Sequence, residues 1–328
     1  MKKIASMAVL LLAIGMAAAW AAGQEEAAPA AATPTWPEKP ITVIVPFNAG
    51  GDTDFYARTY AKYLKDILGQ PIVVTNMAGA NGSAGTIKVK DSKPDGYTAL
   101  FFHDSMLVNK VVGITDFAHE ALEVCAAAIY DNTYIIAVNA KSPYKTFQDL
   151  INAAKANPGN ILFGTQLGGS TYYGGVMIEE LSGASFNKVD AGGGTERNAA
   201  LLAGKIDVNF NPLGVMKPYI DSGDFRVLAV FSAERSKLFP TIPTAREQGY
   251  DLVLNRAYFL SFPKGTDPAI VKIMADAMGK VSAMPEYAVD IAKAYNTEPA
   301  FGDTRSTLDY LDKALVGYMA KQKLLKGN

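Results

Sequence analysis

The sequence predicts an α/β protein built as two doubly wound lobes. Three observations carry that prediction. Strand-like runs alternate with helix-like runs along most of the chain, the pattern of parallel sheets covered by helices on both faces. One loop type, two glycines followed by two small polar residues, occurs twice: "VPFNAGGDT" at residues 45–53 and "LFGTQLGGST" at 162–171. A chain of 328 residues with 49% hydrophobic and 19% charged content can fill two cores. Over this length, two lobes fit better than one barrel.

The N-terminus stands apart from that pattern. Lys2 and Lys3 precede a continuous apolar run, Met7 to Ala19, and small residues follow at Ala21, Ala22 and Gly23. This reads as a secretory signal peptide over residues 1–23, cleaved after Ala21 or Gly23, with a retained anchor as the alternative. No cysteine lies near the cleavage region, so a lipoprotein is not expected. Loss of Lys2 and Lys3 moves the formal charge from −1 to −3, which leaves no basic footprint for nucleic acid. The single cysteine, Cys125, cannot close an intramolecular disulfide and reads as a small buried hydrophobe. An exported chain without disulfides points to a bacterial periplasm. Residues 24–35, rich in Ala, Pro and Glu, read as a flexible tether.

The fold is expected to begin near Trp36. Ile41–Val45 is β-branched and bounded by prolines, as a buried strand is. Tyr56, Tyr60, Leu64 and Ile67 then recur at helical spacing, Gly69 ends that helix and Pro71 forbids its continuation. A strand follows at Ile72–Thr75. Gly79, Gly82 and Gly85 open the next helix, and Asp95-Gly96 turns the chain into a strand at Tyr97–Phe102. Thr146 and Asp149 have capping-box spacing for a helix through Ala156. Strands at Ile161–Phe163, Phe186–Val189, Ile206–Phe210, Val227–Phe231 and Tyr258–Phe262 alternate with helices at Ser170–Leu181 and Thr195–Ala203. The chain from Asp267 onward reads as helical.

The repeated loop stands where a strand hands over to a helix. In open α/β sheets that is the edge where ligands bind. Helix N-termini there offer unpaired N–H groups and a partial positive charge. Glycine lets an anion approach the backbone, and Thr and Ser add hydroxyl donors. Two such loops, one per lobe, are suited to gripping a carboxylate between them. The plainer reading is that Asp52, Ser170 and their neighbours are helix caps. A β-branched residue at Gly51 is expected to obstruct the backbone approach and to resist a positive φ.

Chemistry beyond binding lacks parts. There is no Walker motif, and Gly79, Gly82 and Gly85 miss the dinucleotide fingerprint. "NGSAG" at 81–85 and "GGSTY" at 168–172 each miss one glycine of the nucleophile elbow. The only histidines, His103 and His119, sit in no metal-ligand pattern. His103 ends a strand, where a pocket role competes with a loop position that has no task. No catalytic residue, metal site or cofactor is therefore expected.

"WPEKPITVIVPFNAGGDTDFYAR", "LGQPIVV", "KPDGYT", "GGST", "GGGTERNAALLAGKIDV", "SAERSKLFPTIPTAREQGYD" and "FPKGTDP" occur in that order. As a set they resemble the extracytoplasmic solute receptors of tripartite tricarboxylate transporters, the Bug or TctC-type receptors, over nearly the whole mature chain. The resemblance implies a two-lobed periplasmic-binding-protein (Venus flytrap) fold, each lobe a mainly parallel sheet flanked by helices. Residues 36–137 plus 256–328 would form lobe 1 and residues 138–255 lobe 2, with "IIAVNAKSP" and "LVLNRAYF" as the crossing strands. It implies a monomer that captures a small mono-, di- or tricarboxylate and passes it to membrane permease subunits. Carried over by position, the ligand-binding residues are Phe47, Gly50, Gly51, Thr53 and Asp54; Gly79, Ala80 and Asn81; and His103 and Ser105. The second lobe contributes Gly168, Gly169, Ser170, Thr171, Gly192, Gly193 and Asn211.

The chain departs from the family pattern in places. Ala49 stands at a usual proline, and Met77-Ala78 at a usual Arg-Pro. Asn211 stands where many members have Asp, which argues against an amino-acid ligand. Ala257 lies near a usual tryptophan. Arg256 beside it is a candidate partner for a second carboxylate, against the commoner surface position. A ligand-responsive sensor, or an enzyme acting on a small acid, are the alternative functions.

Overall fold

The computed structural model describes residues 35–235 and 240–327. The expected signal peptide, and the expected tether apart from Thr35, lie outside the described residues. Ile72–Asn76 (β2), Ile41–Val45 (β1), Thr98–His103 (β3), Arg256–Pro263 (β10) and Leu122–Asp131 (β4) lie side by side in that order as one sheet. Asn187–Asp190 (β7), Leu162–Thr165 (β6), Val208–Pro212 (β8), Tyr134–Asn139 (β5) and Phe225–Val230 (β9) form the second. The two sheets repeat one pattern, so β6 in the second stands where β1 stands in the first.

The sheets are mixed rather than purely parallel. β10 runs antiparallel to β3 and β4, and β5 runs antiparallel to β8 and β9. In each sheet the other four strands share a direction. The reversed strands are the two that arrive directly from the other sheet. Only Asn132 and Thr133 separate β4 from β5. The expected lobe break between residues 137 and 138 falls inside β5, and β10 begins at Arg256.

Helices cover both faces of each sheet. Ile41, Val43 and Val45 alternate onto one face of β1. There they meet Asp52–Leu68 (α1), Pro268–Ser282 (α8) and Pro285–Tyr295 (α9). Ile44 points the other way, into a core with Ser105–Val112 (α3) and Thr304–Ala320 (α10). In the second sheet Ile136 and Val138 face Phe147–Ala156 (α4) and Ser170–Ser182 (α5). Ile135 and Ala137 face Gly194–Leu202 (α6) and Leu213–Asp221 (α7). The local signals hold where expected. Gly69 closes α1 in a left-handed conformation, its N–H bonded to the Lys65 carbonyl. Thr146 and Asp149 complete a capping box. Ala80–Gly82, capped by Gly79, form a short 3₁₀ turn before Ser83–Lys90 (α2).

β4, α3 and α7 are absent from the sequence reading. β4 carries three consecutive alanines, Ala126 to Ala128, all fully buried, in place of the β-branched residues that mark strands. α7 contains Pro218, which argues against a helix interior. The open edge of β4 is covered, since Ala127 exchanges backbone hydrogen bonds with Gly302.

The chain ends as a strap touching both halves. From α10, the Tyr318 hydroxyl donates to Asp104 Oδ2 at 2.8 Å, and the Tyr318 ring packs on Tyr173 of α5 at 4.6 Å. Beyond it, in Gln322–Lys326 (α11), the Leu325 carbonyl accepts from Tyr172 at 3.2 Å. Asp104 is fully buried, its Oδ1 has no partner, and burial pushes its pKa up to about 6. The stability that neutral Asp104 allows is complete below about pH 4, its ordinary pKa, and is lost as pH rises through about 6. Asp104→Asn keeps the neutral form at every pH. It should be more stable than the wild type at pH 7–8 in urea titrations, the gap closing as pH falls from about 6 to about 4. A gap of constant size would show that Asp104 does not titrate.

Candidate functional site

Three helices begin with the same backbone device. Gly50, Gly168 and Gly192 have φ of 85°, 79° and 75°, and each is followed by an extended glycine that serves as N-cap: Gly51, Gly169 and Gly193. The left-handed residue of each pair is the first one, so the positive φ expected at Gly51 belongs to Gly50; Gly51 has φ −84°. The first intrahelical bonds run from Phe55, Tyr173 and Arg197 back to these caps. In α6 this leaves the N–H groups of Gly194, Thr195 and Glu196 without intrahelical acceptors. None of the three caps makes a side-chain cap bond, which removes the plain capping role for Ser170.

The loops meet crosswise between the sheets. A Cβ on Gly51 would stand 3.9 Å from Thr195 Oγ1 at the start of α6. Asn48 Nδ2 donates to Glu196 Oε1 at 2.5 Å across the same gap. Reciprocally, Gly169 at the start of α5 approaches Asn81 and Ser105 of the first sheet's loops. Ser170 N donates to Ser105 Oγ at 2.9 Å, and the two hydroxyls lie 3.0 Å apart.

A buried guanidinium ties these pieces together. Arg256, the first residue of β10, is 3% exposed. Its Nη1 donates to Asp52 Oδ2 at 2.6 Å and its Nη2 to Ser170 Oγ at 2.7 Å. The Tyr258 hydroxyl donates to the same Asp52 oxygen at 2.5 Å. The guanidinium also lies over the Tyr134 ring at 4.8 Å, and the Tyr134 hydroxyl is 3.0 Å from Ser170 Oγ. Arg256 is thus not a surface arginine, and its carboxylate partner is Asp52.

Two chambers that share wall residues remain in the cleft. The inner one, about 20 Å³, lies among Gly51, Thr53, His103, Thr195, Arg197 and Arg256. The outer one, about 220 Å³, lies among Gly79, Ala80, Asn81, Asp190, Gly192 and Glu196. Phe47, Asn48, Gln166, Gly193 and Glu196 line both. His103 stacks on Phe47 at 5.2 Å, and its Nδ1 accepts from Ser105 N at 3.2 Å. Burial, with the charges of Arg256 and Arg197, holds its pKa well below the usual histidine value, so the ring is neutral. Larger hollows exist behind the crossover strands (about 440 Å³) and outside the first sheet (about 1240 Å³). The lining of neither includes any of the three glycine-capped helix starts.

Of the expected residues, Phe47, Gly51, Thr53, Asp54, His103, Gly193 and Arg256 line the inner chamber, and Gly79, Ala80, Asn81 and Gly192 the outer. Ser105, Gly169 and Ser170 form the contact between the lobes. Gly50 and Gly168 set the turns. Thr171 faces into its own lobe, bonding Thr165 and Gln166. Asn211 lies behind the chamber, accepting from Arg197 at 2.6 Å. Sequence reasoning missed Asn48, Gln166, Thr195, Glu196 and Arg197. Arg197 left a signal: it stands one helical turn before Leu201, on the buried side of α6, where a charge is out of pattern.

The profile described as "Tripartite tricarboxylate transporter family receptor" matches residues 56–316. The chain is 35% identical over 255 residues to protein BugT of Bordetella pertussis, with 76% of this chain and 77% of that one covered. A solved periplasmic transporter superposes with a TM-score of 0.80 at 27% identity, over 89% of this chain and 97% of the other. A protein of R. palustris solved with adipate has the same fold, with a TM-score of 0.83 at 24% identity over 89% and 98%. The described chain, with its paired sheets and the cleft between them, belongs to the family of tripartite tricarboxylate transporter receptors.

Proposed function

We propose that the protein is a periplasmic solute receptor that captures a small carboxylate in this cleft and delivers it to the permease subunits of a tripartite tricarboxylate transporter. The observation that carries this reading is the convergence on one gap of two helix N-termini, those of α1 and α6, each opened by a left-handed and an extended glycine. Their helix dipoles, with the N–H groups of Gly194, Thr195 and Glu196 at the start of α6, suit an anion. The carboxylate sits at the inner chamber, against the first turns of α1 and α6, with the Thr53 and Thr195 hydroxyls beside it. The rest of the molecule occupies the outer chamber, whose size of about 220 Å³ suits only a small acid. The lobes are the two sheets with their helices, and they close on the ligand by rotation about the crossover strands. The receptor acts as a monomer and binds without turnover. Export by the signal peptide read at residues 1–23 places it in the periplasm.

Thermal unfolding of the mature protein against a panel of small carboxylates tests this. A ligand that binds only the folded state adds about 2.7 kcal/mol at 100 times its dissociation constant. A strong shift is expected for at least one acid, and none across the panel would sink the reading. Ser170→Ala should weaken that acid by about 1–2 kcal/mol in calorimetric titration, because Arg256 and Tyr134 both lose a buried partner. An unchanged Kd would remove Ser170 from the binding arrangement. The two glycines of the first loop should behave differently. Gly50→Val, at φ 85°, should cost about 1–3 kcal/mol of stability. Gly51→Val should leave the Tm nearly intact yet block binding, and wild-type affinity in that variant would take the loop out of the site.

A further inference from the structure

The cleft is electrically lopsided, and the imbalance lies on two neighbouring residues, Glu196 and Arg197. Arg197 is 3% exposed. Its Nε donates to Asn209 Oδ1 at 3.3 Å, its Nη1 to the Gly192 carbonyl at 2.6 Å and its Nη2 to Asn211 Oδ1 at 2.6 Å. All three acceptors are neutral. The other arginines around the cleft are matched: Arg256 pairs with Asp52 at 2.6 Å and Arg58 with Asp54 at 2.9 Å. Among the described residues no carboxylate forms an ion pair with Arg197, and two of its five N–H groups have no acceptor. Burial, with the charge of Arg256 nearby, pushes its pKa down to about 10, against the smaller opposing effect of the Asp52 and Glu196 charges, neither of which forms an ion pair with it.

The outer chamber is acidic. Its charged lining residues are Asp190 and Glu196, and no basic side chain lines it. Glu196 accepts from Asn48 Nδ2 across the cleft, and Asp190 from the Gly192 N–H at 3.1 Å. Neither forms an ion pair with a described residue. A ligand spanning both chambers therefore meets the Arg197 guanidinium at its inner end, Glu196 on the wall the two chambers share and Asp190 at its outer end. A second acid group placed there would be repelled.

We propose that the cleft selects a monocarboxylate whose far end donates hydrogen bonds, a hydroxyl or an ammonium, held with its carboxylate on Arg197 and its tail toward Glu196 and Asp190. This rests on the carboxylate reading given above and narrows it: diacids and triacids of similar length are the poorer ligands.

The test uses the mature protein and calorimetric titration with matched straight-chain acids of three to six carbons. Each length is taken as the plain monoacid, the ω-hydroxy acid, the ω-amino acid and the α,ω-diacid. At the best length, the ω-hydroxy or ω-amino acid should bind about ten-fold or more tighter than the diacid. Glu196→Gln should narrow that gap by improving the diacid. Arg197→Gln should weaken every acid about ten-fold or more. Because Arg197 is buried and its loss threatens the fold, Asn211→Asp provides a second variant. It sets a carboxylate against the intact guanidinium and should weaken the acids in the same way. A wild-type preference for the diacid, or affinities unchanged in both Arg197→Gln and Asn211→Asp, overturns this inference and leaves the carboxylate reading standing. If no acid binds the wild type, both fall.

Discussion

The buried pair of Asp52 and Arg256 is the interaction on which the cleft depends. Taking two such charges out of water costs several kcal/mol each, and the pair offsets this only where geometry is good and the remaining polar atoms are used. Here most are. Asp52 accepts from Arg256 and Tyr258 through one oxygen and from Thr53 N through the other. Arg256 spends its second nitrogen on Ser170 and leaves only Nε without a partner. Deleting either charge would strand the other at a cost of about 3–5 kcal/mol. The pair joins α1 to β10 within the first lobe. Its bond to Ser170 and its stacking on Tyr134 extend the same anchor into the second. One guanidinium thereby sets the position of two helix starts relative to each other.

Crosswise contact of the loops follows from the repeated topology. Each sheet presents its first and second strand-to-helix loops at the same edge. When the sheets face each other, the first loop of one meets the second loop of the other. Gly51 accordingly approaches Thr195, and Gly169 approaches Asn81. Separating the lobes about the crossover strands has to break Arg256–Ser170, Ser105–Ser170 and Asn48–Glu196. It also has to carry or break the strap contacts of Tyr318 and Leu325 with α5. These are hydrogen bonds and ring contacts of modest individual strength. The main chain between the lobes stays intact in such a motion.

How much of this was legible in the sequence depended on whether the signal was local. The repeated glycine loop was visible because a left-handed turn followed by a helix start has a short, fixed residue signature. β6 does stand where β1 stands, as the echo implied. The capping box at Thr146 and the Gly69 stop were legible for the same reason. β4 was not, because its alanines are chosen by the helices packed against it and not by strand propensity. The reversed direction of β5 and β10 was not, because it depends on where the chain changes sheets. The partners of Arg256 lie 204 and 86 residues away in sequence, so no window of residues contains the pair or the bridge to Ser170. Arg197 shows the middle case: its position on the buried side of α6 was readable, but its lack of a carboxylate partner was not.

The three helix starts are not equivalent as anion sites, and the difference divides the work between the lobes. A helix N-terminus carries roughly half a positive charge. α1 meets this with its own acids, Asp52 and Asp54 in the first turn, each also paired with an arginine. α5 has no acid in its first turn. α6 has one, Glu196, but that carboxylate turns across the gap to Asn48, while Arg197 adds a full charge behind the same terminus. The positive potential left unmatched therefore belongs to the second lobe. The first lobe brings acids and amides already committed to its own arginines and turns. An anion between the lobes is drawn toward α6, and the first lobe completes the enclosure with the α1 backbone, the neutral His103 ring and Phe47.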